Sequence, residues 1–163
     1  MPVDELADLL LFDRSCYRLA VKVSEPNGYE IDVDTDRIDL DRVHHWLSTD
    51  VHGALGRERQ IVEQSIRGSL NFGVYDGNGD QVAYARVVTD LATFAWICDV
   101  YVDRQHRGVG LGHRLVTEVR DYLVPYKLKR VLLSTSDAHG LYARIGFVPL
   151  PDHQKWMILA AEG

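Results

Sequence analysis

The sequence predicts a mixed α/β fold in which a central, mostly antiparallel sheet is flanked by helices. Two segments in the first half carry apolar residues at helical spacing. Three apolar runs separated by turn residues follow them, which indicates three successive antiparallel strands. A glycine-rich turn then leads into an amphipathic helix and a further strand, so this helix is predicted to cross over between two parallel strands.

Length and composition fit one compact domain. Of the 163 residues, 46% are hydrophobic and 26% are charged, which is usual for a soluble globular protein. The 18 basic and 24 acidic side chains give a net charge of −6, which argues against a nucleic-acid partner because a phosphate backbone requires clustered positive charge. No apolar stretch approaches the roughly twenty residues that span a bilayer, and the start lacks the positive flank of a signal peptide. We therefore expect a cytoplasmic protein with no membrane contact.

Residues 1–28 are expected to form an N-terminal extension beside a domain that spans residues 29–163. Residues 4–12 have helical spacing and residues 17–23 form a candidate strand, before proline and glycine break the pattern. The first core strand is predicted at residues 29–34, and helices are predicted at residues 40–48 and 57–69. The polar, glycine-containing joint between these helices predicts a mobile loop.

The second half begins with strands. Strands at residues 71–75 and 81–89 flank a glycine- and asparagine-rich turn typical of a hairpin, and residues 94–102 form the next strand. Strict alternation along that strand places Asp99 on the same face as Ile97 and Tyr101. A helix at residues 110–123, ended by Pro125, precedes a strand at 130–134. Terminal strands are predicted at residues 147–150 and 155–159.

The cysteines and histidines do not indicate a metal site. Cys16 and Cys98 are isolated, and neither they nor the seven histidines have the spacing of metal ligands. Cys98 lies in a predicted buried strand, where a thiol usually behaves as a small apolar side chain. We expect both cysteines to be reduced.

A strand, a basic glycine-rich turn and a helix start follow one another directly at residues 100–112. Gly108, Gly110 and Gly112 let the backbone approach a ligand closely, and the first amides of the helix are unpaired donors at the positive end of its dipole. A Walker A loop is excluded because His113 and Arg114 stand where that motif needs a Lys-Ser or Lys-Thr pair, and the glycine spacing differs from a dinucleotide fingerprint. The turn predicts a binding site for an anionic cofactor.

Two motifs together identify a family resemblance. The turn matches Q/R-x-x-G-x-G/A in two overlapping registers, starting at Gln105 or at Arg107. About thirty residues later, a second pattern, A-x-x-x-Y-x-x-x-G-F, fits the segment that starts at Ala138 and ends at Phe147. Both motifs, in this order, resemble those of the GNAT superfamily of N-acetyltransferases, and the resemblance covers roughly residues 29–159.

The resemblance implies an acetyl-coenzyme A site between two strands that splay apart, and no metal. It implies that backbone groups of one strand bind the pantetheine arm and polarise the acetyl carbonyl, as in an oxyanion hole, and that the glycine turn holds the diphosphate. Thr135 stands where many relatives have an asparagine. The coenzyme contacts expected from the resemblance are Val100, Tyr101, Val102, Arg107, Gly108, Val109, Gly110, Leu111, Gly112, Thr135 and Ala138.

Tyr142 is the predicted general acid, because coenzyme A leaves as a thiolate that needs a proton. Asp99 is the candidate general base, acting through water; an equally open interpretation is a strand carboxylate that only binds its neighbours. The glutamate that other members carry on this strand falls near Trp96 here and is therefore missing. The other candidate bases are His44, His45, His52 and His139.

The resemblance predicts transfer of an acetyl group to a primary amine, on a small molecule or a peptide, by direct attack in a ternary complex. Two alternatives stay open, namely a non-catalytic regulatory module that binds acyl-coenzyme A and a transferase for a longer acyl group. A homodimer is one open assembly state. Acceptor specificity is expected to come from the two N-terminal helices, the loop between them and residues 90–93, with Trp46 and Trp96 as further candidates.

Overall fold

The computed structural model describes residues 23–24 and 28–159, and these contain one mixed sheet. Its strands follow chain order from edge to edge, and neighbours are antiparallel except for the last two, which are parallel. This confirms the predicted fold class. The strands are β1 (Val23–Ser24), β2 (Glu30–Asp32), β3 (Leu70–Tyr75), β4 (Gln81–Thr89), β5 (Phe94–Val102) and β6 (Arg130–Leu133).

Helices pack on both faces of this sheet. They are α1 (Leu40–Asp50), α2 (Arg59–Arg67), α3 (Leu111–Leu123) and α4 (His139–Ile145). The start of α1 is fixed by Asp39, whose carboxylate accepts a hydrogen bond from the amide of Arg42 (3.0 Å). Among the helices of the described chain, none combines the length and apolar character that a bilayer crossing needs.

Two apolar layers enclose the sheet. Ile97 of β5 packs with Phe72 of β3 and with Leu115 of α3 on one face. On the other face, Tyr101 of β5 packs with Trp46 of α1 in a layer that also includes α2. The strand β5 is therefore covered on both sides, which places its backbone at the centre of the molecule.

Most predicted elements are present with small changes at their ends. The strands at 81–89 and 94–102 have the predicted boundaries, and the first core strand is shorter because Asp34 caps a 3₁₀ turn at Thr35–Arg37. The joint between α1 and α2 contains a second 3₁₀ turn at His52–Ala54. The predicted helix at residues 4–12 and nearly all of the predicted strand at 17–23 lie outside the described residues.

The two predicted terminal strands are wrong. Residues 147–150 form neither strand nor helix, and a 3₁₀ turn at His153–Lys155 takes the start of the second predicted strand. Pro149 and Pro151 lack the amide hydrogens that a sheet ladder needs, so this segment cannot continue the pairing. Residues 157–159 are apolar but exposed.

The predicted alternation along β5 is also wrong, because the strand contains a bulge. Asp99 has φ of +52°, and the pairing with β4 shifts by one residue between Tyr84 and Arg86. The extra residue reverses the phase, so that Ile97 and Tyr101 point to opposite faces of the sheet. Asp99 points to the α1 and α2 face, where it meets Arg86 of β4.

Candidate functional site

A gap opens between β5 and β6 beside the bulge. The parallel pairing ends where Ile97 meets Leu133, while β5 continues to Val102. The amide of Asp103 donates to the carbonyl of Val82 on β4 (2.9 Å). Since backbone groups alternate along an antiparallel strand, Tyr101 directs its amide and carbonyl towards β4, and Val102 directs its own into the gap. No strand pairs with Val102 on this edge, so an extended amide-containing chain can pair there once the Arg107 side chain leaves the Val102 carbonyl.

The glycine-rich turn closes one end of this gap. Gly108 and Gly110 have φ of +81° and +83°, and Gly110 is the N-terminal cap of α3. No backbone amide from Gly108 to Gly112 donates a hydrogen bond within the described residues. The first turn of α3 contains no acidic side chain and holds His113 and Arg114 instead. Unpaired amides with adjacent basic groups at a helix start are suited to binding an anion.

The side chain of Arg107 lies along the edge of the gap. Its Nε donates to the carbonyl of Val102 (2.9 Å), and its guanidinium carbon lies 5.1 Å from the centre of the Tyr101 ring. Arg107 is exposed and long enough to leave this position for a bound anion. The Tyr101 side chain points away from the gap, stacks on Trp46 at 5.2 Å and donates to the carboxylate of Asp50.

Tyr142 lies at the other end of the gap. It is on α4 and packs with Val116 of α3, Val100 of β5 and Leu133 of β6. Its side chain is 9% exposed, and no hydrogen bond to its hydroxyl occurs within the described chain. Burial, with a smaller contribution from Asp137, raises the pKa of Tyr142 above its ordinary value. The phenol therefore stays protonated at neutral pH and can donate a proton.

Thr135 and Ala138 shape the turn between β6 and α4. The hydroxyl oxygen of Thr135 accepts a hydrogen bond from the amide of Ala138 (3.0 Å), the residue that caps α4. At the opposite end of α4, Gly146 has φ of +103° and its amide bonds to the carbonyl of Ala143 (3.1 Å). Thr135 thus positions the helix that carries Tyr142, and its own hydroxyl hydrogen remains available to a ligand.

Asp99 is held by two arginines on the other side of the bulge. Its Oδ2 accepts hydrogen bonds from Nε of Arg86 (2.7 Å) and from Nη1 of Arg57 (2.9 Å), and its side chain is only 6% exposed. Its second oxygen, Oδ1, accepts no hydrogen bond within the described residues. Although burial would lower the pKa of Arg86, the Asp99 carboxylate raises it above its ordinary value, so this guanidinium stays charged.

Arg57 and Arg86 were not among the candidates from the sequence. A signal for Arg86 exists, because a carboxylate in the apolar run of β5 needs a partner and Arg86 is the one cation in the apolar run of β4. Arg57 gives no comparable signal. It lies 42 residues before Asp99 in a loop, and only the tertiary fold brings the two together.

Cys98 is a poor nucleophile in this structure. It is a free thiol, and its burial raises its pKa to about 11. At pH 7.5 roughly one thiol in 3,000 is then ionised, and only the thiolate is reactive. This disfavours a covalent cysteine route.

We expect Cys98 to react slowly with iodoacetamide at pH 7.5, with a rate that rises about tenfold per pH unit up to pH 10, because the thiolate fraction does so. The measurement uses a Cys16→Ser variant, in which Cys98 is the remaining cysteine. The urea-unfolded variant is the control and reacts faster at neutral pH, as its thiol has an ordinary pKa. Rapid labelling of the folded variant at pH 7.5 would contradict this interpretation.

A cleft of about 410 Å³ lies beside the end of β5, on the α1 face. Asp50 is in its wall, where it accepts hydrogen bonds from the Tyr101 hydroxyl and from Nη2 of Arg104 (2.8 Å). The Tyr101 hydrogen bond lowers the pKa of Asp50, and the Arg104 charge adds to this. His45 and Thr49 of α1 also line the cleft. Its polar wall and aromatic floor suit a small polar molecule.

The comparisons with known proteins give one consistent family. The sequence model of the acetyltransferase (GNAT) family matches residues 40–147, which include the glycine turn, the bulge and Tyr142. The crystal structure of a putative acetyltransferase of the GNAT family from Xanthomonas campestris pv. campestris is 39% identical, covers 82% of this chain and 93% of that one, and has a TM-score of 0.77. "Putative acetyltransferase FG08082" of Gibberella zeae is 27% identical over 135 residues, which are 71% of this chain and 76% of that protein.

A more distant structure shares the fold. Rv2747 from Mycobacterium tuberculosis, solved in complex with CoA and NLQ, is 18% identical, covers 74% of this chain and 72% of its own, and has a TM-score of 0.61. The match of the family model over most of the chain agrees with the two motifs and with the gap between β5 and β6. The chain belongs to the GNAT family of acetyltransferases.

Proposed function

We propose that this protein is an acetyl-coenzyme A-dependent N-acetyltransferase that acts on a primary amine by direct attack in a ternary complex. The observation that carries the proposal is the backbone edge at Val102, which no strand pairs with and which is continuous with the unpaired amides of Gly108 to Gly112. These groups fit the two polar parts of the coenzyme, because the diphosphate accepts hydrogen bonds from amides and the pantetheine arm pairs with a strand edge.

The proposed coenzyme contacts are the backbone of β5 between Val100 and Val102 and the amides of the glycine turn, with Arg107 turning from the Val102 carbonyl towards the diphosphate. Bound there, the coenzyme supplies an activated thioester. Rv2747, which shares the fold, was solved with CoA, and this supports a coenzyme site in the present chain.

Tyr142 and Asp99 have complementary roles in this proposal. The acceptor nitrogen forms a bond to the carbonyl carbon as the carbon–sulfur bond breaks, and Tyr142 gives its phenolic proton to the departing sulfur. The proton lost by the nitrogen passes to water, while Asp99 keeps its negative charge and holds Arg57 and Arg86 beside the bulge. Backbone amides near Val100 stabilise negative charge on the carbonyl oxygen.

The acceptor enters, in this proposal, from the face of α1 and α2, where the cleft beside Asp50 lies. We also propose that the protein works in the cytoplasm, where a reduced thiol such as Cys98 is stable.

The test has two stages. Calorimetry with acetyl-coenzyme A should show binding at micromolar concentration, and a library of primary amines should include acceptors that release free coenzyme A thiol. Binding without release across a broad library would favour the non-catalytic module. Faster release from succinyl- or propionyl-coenzyme A than from acetyl-coenzyme A would favour the longer acyl group.

A further inference from the structure

The cluster of Arg57, Asp99 and Arg86 carries more positive charge than its own carboxylate neutralises. Two guanidinium groups share one carboxylate oxygen, so two positive charges face one negative charge and leave a net charge of +1. The side chains are 21%, 6% and 14% exposed, in the order Arg57, Asp99, Arg86. An unneutralised positive charge at such a buried position raises the free energy of the folded protein unless an anion binds beside it.

Arg57 is the member of the cluster whose guanidinium has unused hydrogen-bond donors. Its bond from Nη1 to Asp99 is the one hydrogen bond that its side chain makes within the described ranges, whereas Arg86 also binds Oγ of Ser69 (3.1 Å). A guanidinium has five N–H donors in a fixed planar array. Most of the donors of Arg57 therefore remain available, and they are partly accessible.

The backbone fixes Arg57 in this position. Its amide donates to the carbonyl of Ala54 (3.0 Å), and its carbonyl accepts from Nε2 of His44 on α1 (3.1 Å). The loop between α1 and α2 is thus tied to the helix on one side and to β5 on the other. The guanidinium is presented next to the bulge instead of moving freely in solvent.

We propose that Arg57 binds a carboxylate of the acceptor, so that the acetylated amine belongs to an amino acid or a similar amino-carboxylate. The inference rests on the proposed function, which places the reacting nitrogen beside the same bulge. A carboxylate has the planar, two-oxygen shape that a guanidinium binds with two parallel hydrogen bonds. Its single charge matches the net charge of +1, whereas a phosphate dianion exceeds it.

The same charge disfavours other amine classes. Polyamines carry only positive groups, and the guanidinium pair repels them. An acceptor with one carboxylate beside its amine brings the counter-charge itself. The cluster therefore selects for amino-carboxylates and against simple cations.

The binding test uses reaction products, so that it does not depend on turnover. Calorimetry in the presence of coenzyme A compares N-acetyl derivatives of the twenty amino acids with the corresponding N-acetyl amino acid amides, in which the carboxylate is replaced. We expect at least one acid to bind, and its amide to bind about 10- to 100-fold more weakly, as for the loss of a charged hydrogen bond. Arg57→Gln should weaken the acid to the level of its amide, and Arg57→Lys should keep part of the preference.

Arg59→Gln is the matched control, since Arg59 is a half-exposed residue that pairs with Asp41 on the surface. It should leave the acid-to-amide ratio unchanged. Thermal melting verifies that each variant is folded. The corresponding N-acetyl aminophosphonates form a further arm, and we expect them to bind more weakly than the N-acetyl carboxylates.

Four results would overturn the inference: equal binding of acids and amides, no binding of any acid, equal losses for both ligands in Arg57→Gln, or tighter binding of the phosphonates. Failure of the proposed function is seen separately, as absence of acetyl-coenzyme A binding in the first titration. The same titrations of acids and amides are repeated without coenzyme A. The ratio of their affinities can therefore be measured even if the protein does not bind acetyl-coenzyme A.

Discussion

Replacing Tyr142 by phenylalanine should lower kcat by about 100-fold or more, the usual contribution of a general acid, while the acetyl-coenzyme A Kd changes less than about twofold. The ring stays in place in this variant, because its packing on Phe147 (5.9 Å between ring centres) does not involve the hydroxyl. Only the proton for the departing thiolate is lost. Stopped-flow release of coenzyme A thiol measures kcat, and calorimetry measures the Kd.

The pH dependence gives a second readout of the same residue. Because the pKa of Tyr142 is raised above its ordinary value of 10.0, the proton-donating form persists through neutral pH. The alkaline limb of kcat should therefore lie above pH 10 in the wild-type protein and be missing in Tyr142→Phe.

Tyr75→Phe is the matched control for the lost hydroxyl. The Tyr75 hydroxyl is buried on β3 without a hydrogen-bond partner in the described part of the chain, so its removal is expected to leave kcat unchanged. A Tyr142→Phe enzyme with the wild-type rate would remove this tyrosine from the mechanism. Equal losses in both variants would point to a general effect on packing.

The sheet could be predicted from the sequence because the ends of its strands are marked by residues next to them in the chain. The strands β4 and β5 have the predicted ends, since glycine, asparagine and aspartate mark the turns on both sides. The helix α3 connects β5 to β6 as a crossover, and a connection of this kind predicts that the two strands are parallel. The glycine turn and the start of α3 could be placed from the sequence for this reason.

The bulge could not be predicted, because its causes are distant in the chain. A positive φ at Asp99 is unfavourable for a residue with a side chain, and the alternation of β5 gives no sign of it. The ion pairs with Arg57 and Arg86, which lie 42 and 13 residues away, hold the carboxylate in this conformation. Strict alternation fails here because tertiary electrostatics override the local pattern, next to the candidate site.

The two predicted terminal strands are wrong for the opposite reason, because local chemistry decides the structure there. The apolar residues in 147–150 and 155–159 favour strands, but Pro149 and Pro151 interrupt the donors of any ladder. The apolar pattern alone did not decide between a strand and an irregular segment.

Replacing Gly110 by alanine should raise the acetyl-coenzyme A Kd by about tenfold or more, since it disturbs the amides that bind the diphosphate in our proposal. Gly110 caps α3 at φ of +83°, a conformation that costs a residue with a Cβ about 1–2 kcal/mol. A Cβ there would meet no protein atom within 4 Å, so the variant should fold. The strain at this cap would act on the turn that holds the amides from Gly108 to Gly112.

Gly79→Ala separates backbone strain from ligand binding. Gly79 lies in the hairpin between β3 and β4, has nearly the same φ of +85°, and likewise has no protein atom within 4 Å of an added Cβ. Both variants should therefore lose a similar free energy of unfolding, measured by urea titration, while only Gly110→Ala loses coenzyme affinity in calorimetry. If both variants lose the same stability but still bind acetyl-coenzyme A like the wild-type protein, the strain at the cap of α3 has no effect on the ligand. That result would mean that the diphosphate is bound elsewhere.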